Sequence, residues 1–161
     1  MDDIPLASLG LALVVLLVVS GFFSIAETAM MAVNRYRLKH QAQRGARGAR
    51  IALALLAQTD TLLGVILLGN NLINAASATL ASVITVRLFG RGQWPLALGT
   101  VAVTFLILVF SEITPKVIGA AYADRLAPLI SYVLAPMLRV GRGVFIGLPP
   151  RKRPGRWKIP A

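Results

Sequence analysis

The chain has 161 residues, of which 57% are hydrophobic and 14% charged, with a mean hydropathy of +0.74. A soluble domain of this size needs more polar surface, so the composition points to an all-α protein of the membrane. The formal net charge is +11, but it is gathered into loops around apolar stretches, which argues for membrane topology and against nucleic acid. There is no cysteine, which excludes disulfides, thiolate metal sites and cysteine catalysis.

Residues 4–26, 61–86 and 92–111 carry no charge, and each reaches the roughly 20 residues that cross about 30 Å of hydrocarbon. The first is too long for a signal-peptide apolar core, and Asp2 and Asp3 precede it in place of a basic segment, so it reads as a permanent span. We expect it to run helically over about 4–33. Two short helices then follow within 35–58, about 35–44 and 47–58, separated near Gly45 and Gly48. Thr59 and Asp60 are expected to cap a second span at about 61–87. A tight turn around Gly90 leads to a third span at about 94–118, with Pro95 in its first turn. Residues 122–147 contain Pro128 and Pro136 and are flanked by Arg125, Arg139 and Arg142. They read as an amphipathic juxtamembrane helix and not as a fourth span. The membrane domain is thus expected over 1–147, with a basic, Pro-rich tail at 148–161.

Arg35, Arg37, Lys39, Arg44, Arg47 and Arg50 lie between the first two spans, and further basic residues follow the third. Only Arg87 and Arg91 separate the second from the third. The positive-inside rule therefore puts the N-terminus outside and the C-terminus in the cytoplasm, as for a multi-pass protein of the cell membrane. His40 falls in the basic segment and reads as a solvated helix residue.

Polar residues inside the spans carry the functional signal, because lipid penalises unpaired polar groups. Ser20, Ser24 and Glu27 share one helical face, with Gly21 beside them to admit a neighbouring helix. Asn70 and Asn74 repeat the i, i+4 spacing on the second span, just after Gly69. Asn71 points about 100° away and has a packing role, as have Ser77, Thr79 and Ser82. In the third span Pro115 lacks the N–H that would bond the Ser111 carbonyl, which frees an oxygen beside Glu112. Lys116 lies one turn beyond Glu112, where an ion pair or a gating role is expected. All these groups come between mid-membrane and the cytoplasmic end. They offer hydroxyl, amide, carboxylate and carbonyl oxygens, a hard set that suits Mg²⁺, Ca²⁺ or an alkali cation. Gly69 and Pro115 are candidate breaks for a moving element. No nucleophile has a base partner, so an enzyme is not expected; a cation carrier or a cation sensor is.

Three segments carry a family resemblance: SGFFSIAETAMMAVNRYRLK at 20–39, LLGNNLIN at 67–74 and FSEITPK at 110–116. Together they resemble the transmembrane domain of the CorC/CNNM family of magnesium transporters, in order and over about residues 5–145. The resemblance implies three spans, a juxtamembrane helix, a homodimer in the bilayer, and Mg²⁺ movement, as efflux coupled to Na⁺. Its motif positions fall on Ser20, Ser24, Asn70, Asn74, Glu112 and Lys116. Family members continue into CBS domains that bind nucleotide; these 161 residues include none, so nucleotide regulation is not expected within them. The rival expectation is a Mg²⁺ sensor or scaffold that regulates another transporter.

Overall fold

A computed structural model describes residues 3–145, and every regular element among them is helical. The order is α1 (Leu6–Ala32), α2 (Arg35–Gln43), α3 (Arg47–Leu56), α4 (Thr59–Phe89), α5 (Gln93–Ile107), a π-helical segment (Leu108–Ile113), α6 (Thr114–Ala121) and α7 (Ala123–Phe145). Three helical stretches are long and apolar enough to cross a membrane: Leu6–Ala32, Thr59–Phe89 and Gln93–Ala121. The expected tail at 148–161 lies outside the described residues.

The chain breaks between α1 and α2 because Val33 turns extended and Asn34 restarts the helix. Asn34 Oδ1 accepts hydrogen bonds from the backbone N–H groups of Tyr36 (3.0 Å) and Arg37 (3.3 Å), satisfying two donors that an α-helix leaves open. Gly45, at φ 91°, supplies the left-handed turn between α2 and α3. The expected Thr59–Asp60 cap does not form. Gln58 occupies the cap position without a side-chain bond, and Thr59 lies inside α4, its hydroxyl donating to the Leu56 carbonyl at 2.6 Å. That bond closes the end of α3, while Asp60 lies in the first turn of α4, where the helix dipole favours an anion.

Two spans differ from the sequence expectation in a way that bears on the site. α4 is continuous from 59 to 89, so Gly69 is not a break. A Cβ at Gly69 would stand 2.8 Å from the Phe23 ring, so the glycine is there to let α1 and α4 approach. The third span runs to Ala121, and its regular α-geometry is interrupted by the π segment, where Thr114 N–H reaches back to the Val109 carbonyl.

The core gathers at the end that carries the basic residues. Phe23, Ala26, Ala29 and Met30 of α1 meet Leu38, Ala52, Leu55, Leu62 and Ile66 from α2, α3 and α4. α7 lies along this cluster and is not one of the helices able to cross a membrane. Its buried residues Ala123, Ala127, Ile130, Leu134 and Leu138 share one face at helical spacing, while Leu129, Tyr132, Val133 and Val140 stay exposed. Gly48 seats α3 against it: a Cβ there would lie 2.8 Å from the Pro128 carbonyl oxygen, and the Ser131 hydroxyl lies 3.0 Å from the Gly48 carbonyl. Asp124 closes the same end. Its carboxylate accepts from the Asn34 N–H at 2.9 Å and pairs with Arg37 at 3.0 Å, and these two contacts, the backbone one first, hold its pKa below the ordinary carboxylate value.

Gly48→Ala should lower thermal stability in detergent by about 1–3 kcal/mol, the range for overpacking a close contact. The folded pKa of Asp124 is depressed, so its tether is present above the unfolded carboxylate pKa and is lost as pH falls through the folded value. Protection of the Asn34 amide against hydrogen exchange, taken relative to its intrinsic rate at each pH, should therefore fall only in acid, below the ordinary carboxylate range. Asp124→Ala should show the same loss of protection at neutral pH.

Candidate functional site

The polar residues of the spans meet where α1, α4 and the π segment cross. Ser20 is the hub. Its hydroxyl oxygen lies 2.7 Å from Asn74 Oδ1 and 3.3 Å from Asn70 Oδ1, and it accepts a 2.6 Å hydrogen bond from the Ser111 hydroxyl. Asn74 Nδ2 in turn donates to Glu112 Oε1 at 3.3 Å. One turn along α1, the Ser24 hydroxyl donates to the Ser111 backbone carbonyl at 3.0 Å. Ser20, Ser24 and Ser111 are fully buried and Asn70 nearly so, while Asn74 and Glu112 are half-buried.

Local backbone explains the convergence. The π segment makes a wide turn just before Pro115, whose ring packs 3.3 Å from the position a Gly21 Cβ would take. Gly119 brings the next turn against α1, where a Cβ would lie 2.9 Å from the Ile25 carbonyl. Two glycines on opposite helices thus let the third span press on α1 closely enough for Ser24 to reach Ser111. The oxygen that Pro115 frees is the one that Ser24 satisfies, as a buried carbonyl requires.

The structure brings together Ser20, Ser24, Asn70, Asn74, Ser111 and Glu112. It leaves the other candidates at the margin. Gly69 packs on Phe23. Glu27 is half-buried one turn beyond Ser24 and makes no hydrogen bond among the described residues. Lys116 is exposed, and the described residues contain no Glu112–Lys116 ion pair, because the Glu112 carboxylate turns toward Asn74. Asn71 is exposed, as its 100° offset from Asn70 implies.

Two features go beyond the sequence reading, which drew on the Ser111 carbonyl and gave Ser77 a packing role. The Ser111 side chain joins the network along with its carbonyl. The buried Ser77 hydroxyl, one turn beyond Asn74, has no hydrogen-bond partner among the described residues. Ser77 continues the 70, 74, 77 face of α4, which was the available signal.

The network holds one carboxylate, and the described residues contain no cluster of three His, Cys, Asp or Glu side chains. Its ligating capacity therefore rests mainly on neutral oxygens, those of the Ser20 hydroxyl, two amide carbonyls and Ser111, with the Glu112 carboxylate as the single anionic one. A separate cleft of about 260 Å³ beside Asn34, Arg37 and Asp124 shares no residue with it.

Residues 11–146 match the family described as the cyclin M transmembrane N-terminal domain, CNNM. Among curated relatives, a UPF0053 protein of Haemophilus influenzae is 41% identical over 140 residues, covering 87% of this chain and 33% of the relative. The UPF0053 inner membrane protein YfjD of Escherichia coli is 41% identical over 119 residues, 74% of this chain and 27% of that protein. A chloroplastic DUF21 domain-containing protein of Arabidopsis thaliana is 29% identical across 86% of the chain and 22% of its own length. The chain thus spans about a third or less of the curated relatives it matches.

Ser24→Ala should lower stability by about 1–3 kcal/mol, because it strands the buried Ser111 carbonyl. Thr79→Ala, which removes an exposed hydroxyl bonded only to its own helix at Ala75, should change stability by less than about 0.5 kcal/mol. Thermal unfolding of the two variants in detergent measures the contrast.

Proposed function

The chain belongs to the cyclin M transmembrane N-terminal domain family, and from that premise we propose that it moves Mg²⁺ across the membrane through the Ser20–Asn70–Asn74–Glu112 site. The observation that carries this reading is the set of hard oxygens from three helical segments: those of Ser20, Asn70, Asn74 and Ser111 are linked through Ser20 at 2.6–3.3 Å, and the Glu112 carboxylate joins them through the Asn74 amide nitrogen at 3.3 Å. Hydrogen bonds among these oxygens and their neighbours are the ones a cation displaces. The hydroxyl protons of Ser20 and Ser111 rotate away, and the lone pairs they leave turn to the ion.

Charge balance favours release. One carboxylate against a divalent ion leaves a net positive site, so the ion is held by geometry more than by charge. Mg²⁺ requires near-octahedral oxygens at about 2.0–2.1 Å and dehydrates reluctantly. A site that must assemble six such oxygens from three helical segments loses the ion when one of them shifts. With α4 continuous, the π segment next to Pro115 is the element that can shift, since it already departs from the regular helix.

The direction we read is export. The basic helices α2 and α3 mark the cytoplasmic side by the positive-inside rule, and the site lies toward their end of the spans. Coupling to Na⁺ would supply the driving force, and a homodimer in the bilayer would be the working unit. Exposed apolar residues such as Val18, Leu72, Leu98 and Val101 suit burial in lipid or against a second copy.

Glu112→Gln keeps the shape and the hydrogen bond from Asn74 but removes the only carboxylate in the network. It should weaken Mg²⁺ binding by about tenfold or more and abolish uptake or release of Mg²⁺ by reconstituted vesicles under an imposed Na⁺ gradient. Unchanged binding and flux would exclude the site. Binding that depends on Glu112 without any flux in the parent protein would make the chain a Mg²⁺ sensor.

A further inference from the structure

A groove of about 200 Å³ runs between α4 and α5, and its inner end is the oxygen site itself, since Asn74 and Glu112 line it. From there it passes Ser82, Thr104 and Thr100 to Thr85, which lies under Gly99 near the α4–α5 turn. At 1.5 Å per residue, Asn74 to Thr85 is about 16 Å along α4, most of the distance from the site to the membrane face opposite the basic helices. We propose that this groove is the route by which the cation and its water pass between the oxygen site and that face. The proposal rests on the transport reading above and names the path that reading leaves open.

Three observations support it. The first is placement. The mid-helix residues exposed on the other faces of α5 are apolar: Leu98, Val101, Ala102, Phe105 and Leu106. Its two exposed hydroxyls, Thr100 and Thr104, are four residues apart and both line the groove. On α4, Ser82 and Thr85 answer them from the other wall, and Thr79 is the exposed hydroxyl that lies off it.

The second is the state of the hydroxyls. Ser82 donates to the Ala78 carbonyl at 2.9 Å, Thr85 to Ala81 at 2.7 Å and Thr100 to Leu96 at 2.7 Å. Each proton is spent within its own helix, so the oxygens are left as acceptors, the form that suits a cation or the water around it. Such back-bonded hydroxyls also occur in membrane helices for packing alone. Packing alone does not account for their lining one channel that ends on a carboxylate.

The third is closure. A Cβ on Gly99 would stand 2.6 Å from the Phe89 ring and 3.1 Å from Thr85, so α5 presses hard on α4 at the far end while the groove stays open below. Small movements of Phe89 or α5 there would connect the groove to water.

The absence of cysteine from the chain makes the test direct. Thr100→Cys, Thr104→Cys and Ser82→Cys place single thiols in the groove from both walls. Ala102→Cys is the control, an exposed residue at the same depth and about 200° round α5 from each threonine. In reconstituted vesicles, a membrane-impermeant cationic methanethiosulfonate is added to both sides. The cysteine thiolate, which forms only where water reaches, attacks the sulfenyl sulfur of the reagent and expels methanesulfinate to leave a mixed disulfide, so groove cysteines should react at least about tenfold faster than Ala102→Cys. Millimolar Mg²⁺ should slow that reaction, and modification should remove more than half of the Mg²⁺ flux. Rates equal to the control at Thr100, Thr104 and Ser82 would overturn the proposal, as would fast modification that leaves flux intact. A parent protein that carries Mg²⁺ while groove cysteines stay inert removes the path alone. A parent that carries none removes the transport reading on which the path rests.

Discussion

Everything at the centre of this molecule follows from one carbonyl group. Pro115 cannot donate to the turn before it, and the Ser111 oxygen beside that turn is fully enclosed, so it must find a donor on another helix. The Ser24 hydroxyl is that donor. To reach it, α1 and the third span must touch, and Gly21 and Gly119 permit the touch by removing the side chains that would stand between them. Once that contact is made, Ser20 is carried one turn along α1 to face the Ser111 hydroxyl and the two asparagines of α4. A helix that lacks one backbone bond is thereby converted into a crossing point for three segments.

The span architecture was legible in the sequence because hydrocarbon imposes a length and forbids charge. The three charge-free stretches, the break before α4 and the amphipathic α7 all follow from that rule. The polar faces were legible for the same reason: Ser20 with Ser24 and Asn70 with Asn74 repeat at the helical period in places where polar residues are costly. What periodicity could not supply was the π segment. It adjoins the contact between Pro115 and Gly21, two residues far apart in the chain, which spacing along one helix does not reveal. It also redirects Glu112 toward Asn74, so the i, i+4 spacing of Glu112 and Lys116 misled. Gly69 misled in another way. Glycine in a helical stretch suggests a break, but here its missing side chain is a seat for the Phe23 ring, and the helix runs on.

The helix caps show how local signals yield to neighbours. Thr59 and Asp60 have the chemistry of an N-terminal cap, and α4 nonetheless already includes both, with Gln58 at the cap position. The Thr59 hydroxyl is drawn back to the Leu56 carbonyl, since α3 ends there and its last carbonyls need donors. Asn34 meets no such competition, and it caps α2 as its side chain allows. The difference lies in what each residue finds beside it, which short-range spacing does not encode.

Asn74 and Glu112 belong both to the oxygen network and to the groove between α4 and α5, and this shared membership couples the two. The Asn74 amide now gives its N–H to Glu112 and receives Ser20 at its oxygen, so it bridges α1 to the third span. A cation that takes the Asn74 oxygen and the Glu112 carboxylate for itself would put both bonds of that bridge in competition. The third span would then be held to α1 by Ser24 and Ser111 and released from α4. The π segment, already short of regular bonding, is where such a release costs least. On the transport reading, binding in the network and opening of the groove would then be two consequences of one exchange of hydrogen bonds at Asn74.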